Sequence, residues 1–247
     1  MGTRESEHSS ISLQASNVKI TNQFGLPEFV VEALTYSDYS RGEAQISVTQ
    51  LIDSPRVVQL QKQFALKRIV DAMDLIWSRF GTGMHNMFEE SVKASGFDAI
   101  TEERLFTEYD GWTLSGAIDM QEVHEDGVII SDYKVTSVWS VIYDKTSWHD
   151  QLNVYAYLVR KAKKQNVKKL QIIAILRDWA RRKAENESNY PQSPIAIIDI
   201  PLWSDEKQDK YVADQMNMHM DAEFHTAMNE TLIRCTPEET WEKPTIY

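Results

Sequence analysis

Two oppositely charged side chains lie two residues apart at the end of an apolar, strand-like segment. Asp132 and Lys134 follow the apolar run 128–130 in the sequence GVIISDYKVTS. Because side chains alternate along a strand, Asp132 and Lys134 share one face of it. Desolvating two charges usually costs more free energy than a weak ion pair returns, so this placement at a core strand needs an explanation.

A predicted β-hairpin brings a second acid to this pair. Asp126-Gly127 separates the strand-like segments WTLSGAIDMQEV and VIISDYKV, and Asp-Gly in that position is a strong hairpin signal. With these two residues as the turn, Asp119 lies opposite Lys134 and Gln121 lies opposite Asp132. Asp119 is then diagonal to Asp132, at about 7–8 Å between Cα atoms. This register predicts two carboxylates and one amine on the same face.

These three charged groups fit chemistry on phosphate esters as well as a purely structural role. Two carboxylates this close repel each other unless a divalent cation neutralises them, and hard oxygen ligands suit Mg²⁺ or Mn²⁺. A neighbouring ammonium group can orient a water molecule and stabilise charge that develops on a phosphate. A structural cross-strand pair of Asp and Lys explains the same residues about equally well.

Two further pairs of side chains lie four residues apart, which places each pair on one face of a helix. His85 and Glu89 form one pair, and Gln151 and Tyr155 form the other. Taken singly, His85 is explained by partial burial on its helix and Tyr155 by packing in the core.

In order along the chain, these motifs resemble those of the PD-(D/E)xK nuclease superfamily. The series is Gly81 to His85-x-x-x-Glu89, Gly116-x-x-Asp119, Asp132-Tyr-Lys134 and Gln151-x-x-x-Tyr155. The chain is most similar to the RecB-like branch, which includes phage exonucleases, CRISPR adaptation nucleases and a mitochondrial genome-maintenance exonuclease. The segments GLPEFVVEAL, SVTQLIDSP and RCTPEETWEKPTIY also resemble phage-type members.

The resemblance implies a metal centre that holds Mg²⁺ or Mn²⁺. Its ligands are expected to be His85, Asp119, Asp132 and the backbone carbonyl of Tyr133. Ile118 stands where the superfamily name has proline, a change that this branch tolerates.

The resemblance also implies how the other matched residues act. Lys134 is expected to be the catalytic lysine, and Gln151 and Tyr155 are expected to brace the site and contact DNA. Glu89 is expected to contact a metal ligand or a metal-bound water. The implied activity is that of a DNA exonuclease acting in phage recombination, replication or repair.

Two alternatives remain at the level of sequence. A DNA-binding module that kept the fold without cleaving is disfavoured by the complete His–Asp–Asp–Lys set. A site-specific endonuclease is disfavoured because no added recognition domain is evident. Expected partners are linear DNA with free ends and proteins of recombination or replication.

Basic residues are concentrated in one segment of an acidic chain. The formal net charge is −11, yet residues 160–183 contain ten Lys or Arg and a single acid, so this segment carries +9. We expect Lys163 and Lys164 within it to meet a DNA backbone, and a solvated surface is the equally weighted alternative.

Composition limits the class of protein. No apolar run approaches the roughly 20 residues that span a bilayer, and no signal segment opens the chain. Cys235 is the only cysteine, so we expect no disulfide within the chain and no iron–sulfur cluster of the kind found in some relatives. These features favour a cytoplasmic protein, in the host cell if a phage encodes it.

The elements that must position the site form a mixed α/β pattern. Residues 1–20 are polar and aperiodic, which predicts a disordered tail or an expression remnant, and 21–247 is predicted to be a single nuclease domain. Within it we expect a helical N-terminal part over 45–96, a catalytic core over 81–203 and a C-terminal helix over 204–232. Phage-type relatives continue past the motif around Trp241, which indicates a natural chain longer than this one.

A restriction-endonuclease-like core is expected, with a mostly antiparallel central sheet of about five strands flanked by helices. Asp110-Gly111 and Asp126-Gly127 predict a three-stranded meander, and the segments KLQIIAIL and IAIIDIPLW predict two more buried strands. Upstream, we expect short helices broken near Pro55, then a helix over 64–80 that Gly81 and Gly83 interrupt. A further helix is expected to end at Gly96.

Overall fold

A sheet flanked by helices forms the frame of the molecule. The structure is a computed structural model and describes residues 18–36, 43–143, 145–228, 234–235 and 237–240. Its strands are β1 (Lys19–Thr21), β2 (Ile46–Ser47), β3 (Ile69–Asp71), β4 (Ala99–Tyr109), β5 (Trp112–His124), β6 (Gly127–Thr136), β7 (Val167–Leu176) and β8 (Ile195–Ile200). Its α-helices are α1 (Glu28–Thr35), α2 (Val48–Leu51), α3 (Pro55–Gln63), α4 (Ile76–Ser95), α5 (Trp139–Ile142), α6 (Thr146–Leu158), α7 (Arg181–Asn186), α8 (Asp205–Ala227) and α9 (Pro237–Thr240).

The predicted tail and the predicted continuation concern residues that are mostly outside this description. Of the tail over 1–20, residues 1–17 lie outside the described residues, and Lys19 and Ile20 begin β1. The segment from Trp241 onward also lies outside them. No helix in the described ranges is long and apolar enough to cross a membrane.

The central sheet is mixed and mostly antiparallel, which confirms the predicted architecture with six strands instead of five. β4, β5 and β6 form the expected antiparallel meander, β7 joins β6 in parallel, and β8 pairs antiparallel with β7. β2 pairs in parallel with Leu114 and Ser115 of β5, residues whose other edge already pairs with β4. β2 and β6 therefore occupy the same edge of β5, and residues 116–119 lie between them.

The first predicted hairpin is confirmed. Tyr109 pairs with Trp112, so Asp110 and Gly111 are the two turn residues, with φ of +45° and +81°. Both lie in the left-handed region that a two-residue turn of this kind requires, which is why Asp-Gly is favoured there.

The register predicted for the second hairpin is wrong by two residues. His124 pairs with Gly127, so the turn is formed by Glu125 and Asp126. Gly127 is needed for another reason: its φ is +143°, and a Cβ there would lie 2.9 Å from the backbone oxygen of Asn166. The glycine thus serves the close approach of the segment that leads into β7.

The corrected register changes which residues face each other but keeps them on one face. Gln121 lies opposite Ile130 instead of Asp132. Continued by one position past the last pair, the same register sets Asp119 opposite Asp132 instead of Lys134. A shift of two residues preserves side-chain direction, because the strand period is two.

The predicted interruption at Gly81 and Gly83 is wrong. α4 runs without a break through both glycines and ends, as predicted, at Gly96 with φ of +67°. The segment before it holds two short 3₁₀ turns and β3, which pairs with β1. Such a short strand depends on a partner distant in sequence, and no local pattern reveals it.

Local sequence does explain the helices that lead into the sheet. The break near Pro55 is confirmed, since α2 ends before it and α3 begins at it. Ser47 and Gln50 form a capping box that starts α2 at the edge of β5. α2 is thereby held beside residues 116–119.

Helix α6 packs in the core on the sheet, with nine of its thirteen residues buried. Its buried Asn153 donates from Nδ2 to the backbone oxygens of His149, at 2.9 Å, and Pro201, at 3.0 Å. Asn153 Oδ1 accepts a hydrogen bond of 2.8 Å from the Trp203 amide. This one side chain fixes α6 to the connection between β8 and α8.

Strand β8 was predicted to be buried, and this is wrong for its outer face. It pairs only with β7 among the described strands and alternates between exposed and partly buried side chains. Ile195 and Ile197 are exposed. An apolar run at a sheet edge therefore looks like a core strand in sequence although half of it faces solvent.

Gly116 marks the closest approach between β5 and α6. A Cβ there would lie 2.7 Å from Leu158 Cδ1, 2.8 Å from Val48 Cγ2 and 2.9 Å from Tyr155 Cε1. Carbon atoms do not approach this closely, so any side chain at this position must displace the strand, the helix or the Tyr155 ring.

We predict that Gly116→Ala lowers the free energy of unfolding by about 1–3 kcal/mol, because it overpacks this contact. The matched control is Gly83→Ala, at an exposed position of α4 where nothing lies within 4 Å of the added Cβ. That change should raise stability by up to about 1 kcal/mol, since alanine favours helix. Urea denaturation measures both, and equal midpoints for the two variants would contradict the packing argument.

Candidate active site

A cleft of about 750 Å³ opens where the ladder between β5 and β6 ends. The last pair of that ladder is Met120 with Ser131, and beyond it the two strands separate. The start of α2, the first half of α4 and the inner face of α6 complete the walls. Six residues singled out in the sequence line this cleft: His85, Asp119, Asp132, Lys134, Gln151 and Tyr155.

Asp119 lies at the point where the strands separate. Its Oδ2 accepts a hydrogen bond of 2.7 Å from the backbone N–H of Tyr133, and its Oδ1 lies 3.6 Å from His85 Nδ1. His85 Nε2 lies 3.3 Å from the Tyr133 carbonyl oxygen. The imidazole, the carboxylate and the carbonyl expected to bind a metal are therefore neighbours.

Asp132 is buried and held from two sides. Its Oδ2 lies 2.5 Å from Lys134 Nζ, and its Oδ1 accepts a hydrogen bond of 3.2 Å from Gln151 Nε2. Gln151 Nε2 also donates to the Tyr155 hydroxyl at 2.9 Å. Helix α6 thus orients the carboxylate and leaves the lysine amine at the cleft.

Glu102 belongs to the same cluster and was missed in the sequence. Its Oε1 lies 3.3 Å from His85 Nδ1. His85, Glu102 and Asp119 each offer one ligand atom within 4.8 Å of the others. The signal was available, since the register of the Asp110-Gly111 hairpin sets Glu102 opposite Asp119. Its φ of +51° departs from strand geometry and aims the side chain toward the helix.

Three other predicted site residues do not line the cleft. Glu89 Oε1 accepts a hydrogen bond of 2.6 Å from Lys93 on the same helix. Lys163 Nζ lies 2.6 Å from Glu103 Oε2 and also donates to Gln121. Lys164, with φ of +56°, is exposed at the end of the π-helical turn Val159–Lys163 that continues α6.

The first half of the basic run is neutralised by acids distant in sequence. Arg160 and Lys161 both contact Asp209 of α8. Lys168 Nζ lies 2.6 Å from Asp126, and Lys169 Nζ lies 2.9 Å from Asp199. Charge counted along the sequence therefore overstates the positive surface of this segment.

Negative charge is crowded in the cleft. Burial and the neighbouring Asp132 carboxylate raise the pKa of Asp119 to about 8. Burial by itself lowers the pKa of His85, but the hydrogen bond to Glu102 and the charge of Asp119 outweigh it and raise this pKa to about 9. Burial likewise opposes, and Asp132 more than restores, the pKa of the Lys134 amine, which is raised. The acids therefore draw positive charge to themselves.

This donor set fits a hard divalent cation. Carboxylate oxygens of Glu102, Asp119 and Asp132, together with the Tyr133 carbonyl, are the ligands that Mg²⁺ and Mn²⁺ prefer, and Mn²⁺ also accepts imidazole. The raised pKa of Asp119 is the structural observation behind this fit, because it shows a carboxylate whose charge its own neighbours do not balance. PD-(D/E)XK nucleases use divalent metals.

Two solved structures illustrate the fold. A protein designated SSO0001 is similar with a TM-score of 0.53 and 18% sequence identity, over 78% of this chain and 84% of that chain. An alkaline exonuclease (LHK-Exo) from Laribacter hongkongensis gives a TM-score of 0.43 and 10% identity, over 74% of this chain and 91% of that chain. Comparison with curated protein sequences gives no significant match.

The family comparison covers both the sheet and the cleft. The sequence model of the PD-(D/E)XK nuclease superfamily matches residues 38–239, which include every residue that lines the cleft. This match confirms the resemblance seen in the order of the motifs. The chain belongs to the PD-(D/E)XK nuclease superfamily.

Proposed function

We propose that this nuclease is a deoxyribonuclease that requires Mg²⁺ or Mn²⁺ and degrades linear DNA from an end. The observation that carries the proposal is the cleft itself, where three carboxylates, one imidazole and one amine meet at the end of a sheet. The carboxylates are those of Glu102, Asp119 and Asp132, and the cations are His85 and Lys134.

In this proposal the ion is held by His85, Asp119, Asp132 and the Tyr133 carbonyl, with Glu102 beside them. When bound, a divalent ion supplies positive charge that polarises the phosphodiester and favours attack by water. The ion also explains why a fold tolerates acids at this density, since it offsets their repulsion and their desolvation.

The chain's own groups bind and orient the reactants. Lys134 Nζ, held by Asp132, donates hydrogen bonds at the reacting phosphate and stabilises the charge that develops on it. Gln151 keeps the Asp132 carboxylate in place through Oδ1, which leaves Oδ2 directed at the lysine and the cleft. Tyr155 is fixed by the same amide, so its hydroxyl is positioned to contact the DNA backbone.

Degradation from an end, and a role in recombination, replication or repair, are supported by the motif order shared with RecB-like exonucleases. The site-specific endonuclease and the non-cleaving module remain the competing outcomes. The experiments below separate all three.

We predict that hydrolysis of labelled DNA requires Mg²⁺ or Mn²⁺ and stops in EDTA. Asp132→Asn should abolish hydrolysis, because loss of a ligand carboxylate leaves the ion with too few protein oxygens. Glu102→Gln should weaken Mn²⁺ binding, measured by calorimetry. Full hydrolysis by the wild type in EDTA, or by Asp132→Asn, would end the metal-dependent proposal.

Two matched controls accompany these variants. Asp199→Asn makes the same chemical change on β8, where the carboxylate pairs with Lys169 outside the cleft. Glu89→Gln makes the Glu102 change on α4, where the side chain pairs with Lys93. Both controls should bind Mn²⁺ and hydrolyse DNA like the wild type.

We predict that Lys134→Met lowers kcat by about 10²–10⁴-fold while Mn²⁺ still raises the Tm. The reason is that the amine acts on water and phosphate, whereas the carboxylates hold the ion. Lys169→Met is the control, since it removes a strand lysine that also pairs with an aspartate. A Lys134→Met rate within a few-fold of the wild type would leave this lysine as a structural partner of Asp132.

We predict that linearised plasmid is degraded and that the same plasmid as a closed circle persists, because attack begins at an end. Gel electrophoresis of both substrates in Mg²⁺ is the measurement, with circular and linear single strands as a second pair. Nicking or cutting of the circles would favour an endonuclease. Binding of both forms without any product would favour the non-cleaving module.

A further inference from the structure

Exposed aromatic rings lie beside the cleft, near the ends of β6 and β7. Trp139 and Tyr143 are 56% and 67% exposed, and their rings are nearly parallel at 18° with centroids 6.0 Å apart. Trp77, near the start of α4, is 49% exposed, and the Arg177 guanidinium lies 4.9 Å from its ring centroid. We call Trp77, Trp139, Tyr143 and Arg177 the aromatic ridge.

The ridge is anchored to the strand that carries the site. The Arg177 amide donates a hydrogen bond of 2.9 Å to the oxygen of Thr136, two residues after Lys134. Asp178 accepts from Ser137 Oγ at 2.6 Å and from the Val138 amide at 2.7 Å, which fixes the turn that leads to Trp139. The ridge is therefore held rigidly at the end of β6.

The ridge also meets the cleft at its other side. Trp77 immediately precedes Ser78 and Arg79, which line the cleft, and lies two helical turns before His85. Aromatic surface and candidate active site are thus continuous along α4 as well as along β6.

Positive charge accompanies the ridge. Among the residues that the structure describes, no ion pair involves Arg177, Arg181, Arg182 or Lys183, and all four are exposed. Asp178 is the one acid in this stretch, and both of its oxygens accept hydrogen bonds from the β6 turn. In a chain of net charge −11, this second half of the basic run is where an anionic ligand is attracted.

Exposed aromatic faces beside cations are the means by which proteins bind unstacked bases. Bases in a duplex are stacked on one another, so their faces are not accessible, and a duplex offers this surface only its phosphates. We infer that the aromatic ridge binds bases of single-stranded DNA and leads that strand into the cleft. This inference rests on the proposed function and names single-stranded DNA as the substrate of the site.

The test measures binding by the full chain in EDTA, with labelled oligo(dT) and a blunt duplex of equal length. Trp77→Leu and Trp139→Leu should each weaken oligo(dT) binding by about 5-fold to 100-fold, because leucine is apolar but cannot stack. Binding of the duplex should change by less than 2-fold, or about that. Trp139→Phe should retain most of the affinity. Arg177→Gln should reduce the salt slope on oligo(dT) by about 0.7.

The control variant is Phe224→Leu, which changes an exposed aromatic residue of α8 outside the ridge. It should bind both DNAs like the wild type. Thermal unfolding of each variant verifies the fold, and the contrast between Trp139→Leu and Trp139→Phe remains informative if both lose some stability.

Unchanged oligo(dT) affinity in both leucine variants would overturn the inference, as would an equal loss on oligo(dT) and duplex. A change in oligomeric state with unchanged DNA affinity would assign the ridge to a protein interface instead. Failure of the proposed function is distinguishable, since it appears as absent hydrolysis in Mg²⁺, whereas the ridge is judged by binding without metal.

Discussion

The hydrogen bond from the Tyr133 amide to Asp119 Oδ2 joins the two site strands where their backbone ladder stops. A buried N–H left without an acceptor would cost about 1–3 kcal/mol, so β6 can leave β5 only if another acceptor replaces the lost carbonyl. The Asp119 carboxylate provides that acceptor. The strands can then separate without an unpaired donor, and the gap between them becomes the cleft. The same bond fixes the carboxylate that His85 and Glu102 contact, so the shape of the site and its charge have a common origin.

Charge in the cleft works against the stability of the fold, and the surrounding frame compensates. Buried acids around Asp132 repel one another, and their pairing with Lys134 does not by itself repay desolvation. β6 resists this because it is hydrogen-bonded to β5 and β7 and covered by α6. The site therefore lies on the most supported strand of the sheet, which suits groups that must keep their positions to within a fraction of an ångström.

Much of this arrangement could be predicted from the sequence, and what could not has identifiable physical causes. The Asp110-Gly111 turn is a local property of two residues, and its prediction was correct. At Gly127 the same dipeptide signal was misleading, because the glycine answers to Asn166, which is distant in sequence. The face of Asp119 and Asp132 was nevertheless correct, since a two-residue slip preserves side-chain direction. Glu102 escaped notice because a positive φ at a non-glycine residue leaves no mark in the sequence. The basic run was overestimated because its acidic partners come from α8 and from the sheet.

The buried amide of Asn153 has a consequence for how the molecule opens. Its three hydrogen bonds connect α6 to the segment between β8 and α8, so neither can move far without the other. Native proteins fluctuate through cooperative units, and backbone groups tied in this way belong to the same unit. The helix that holds Gln151 against the cleft is therefore coupled to the C-terminal helix on the far side of that amide. Amide hydrogens of α6 and of the first turns of α8 are expected to exchange with solvent in one common opening event, as parts of a single foldon.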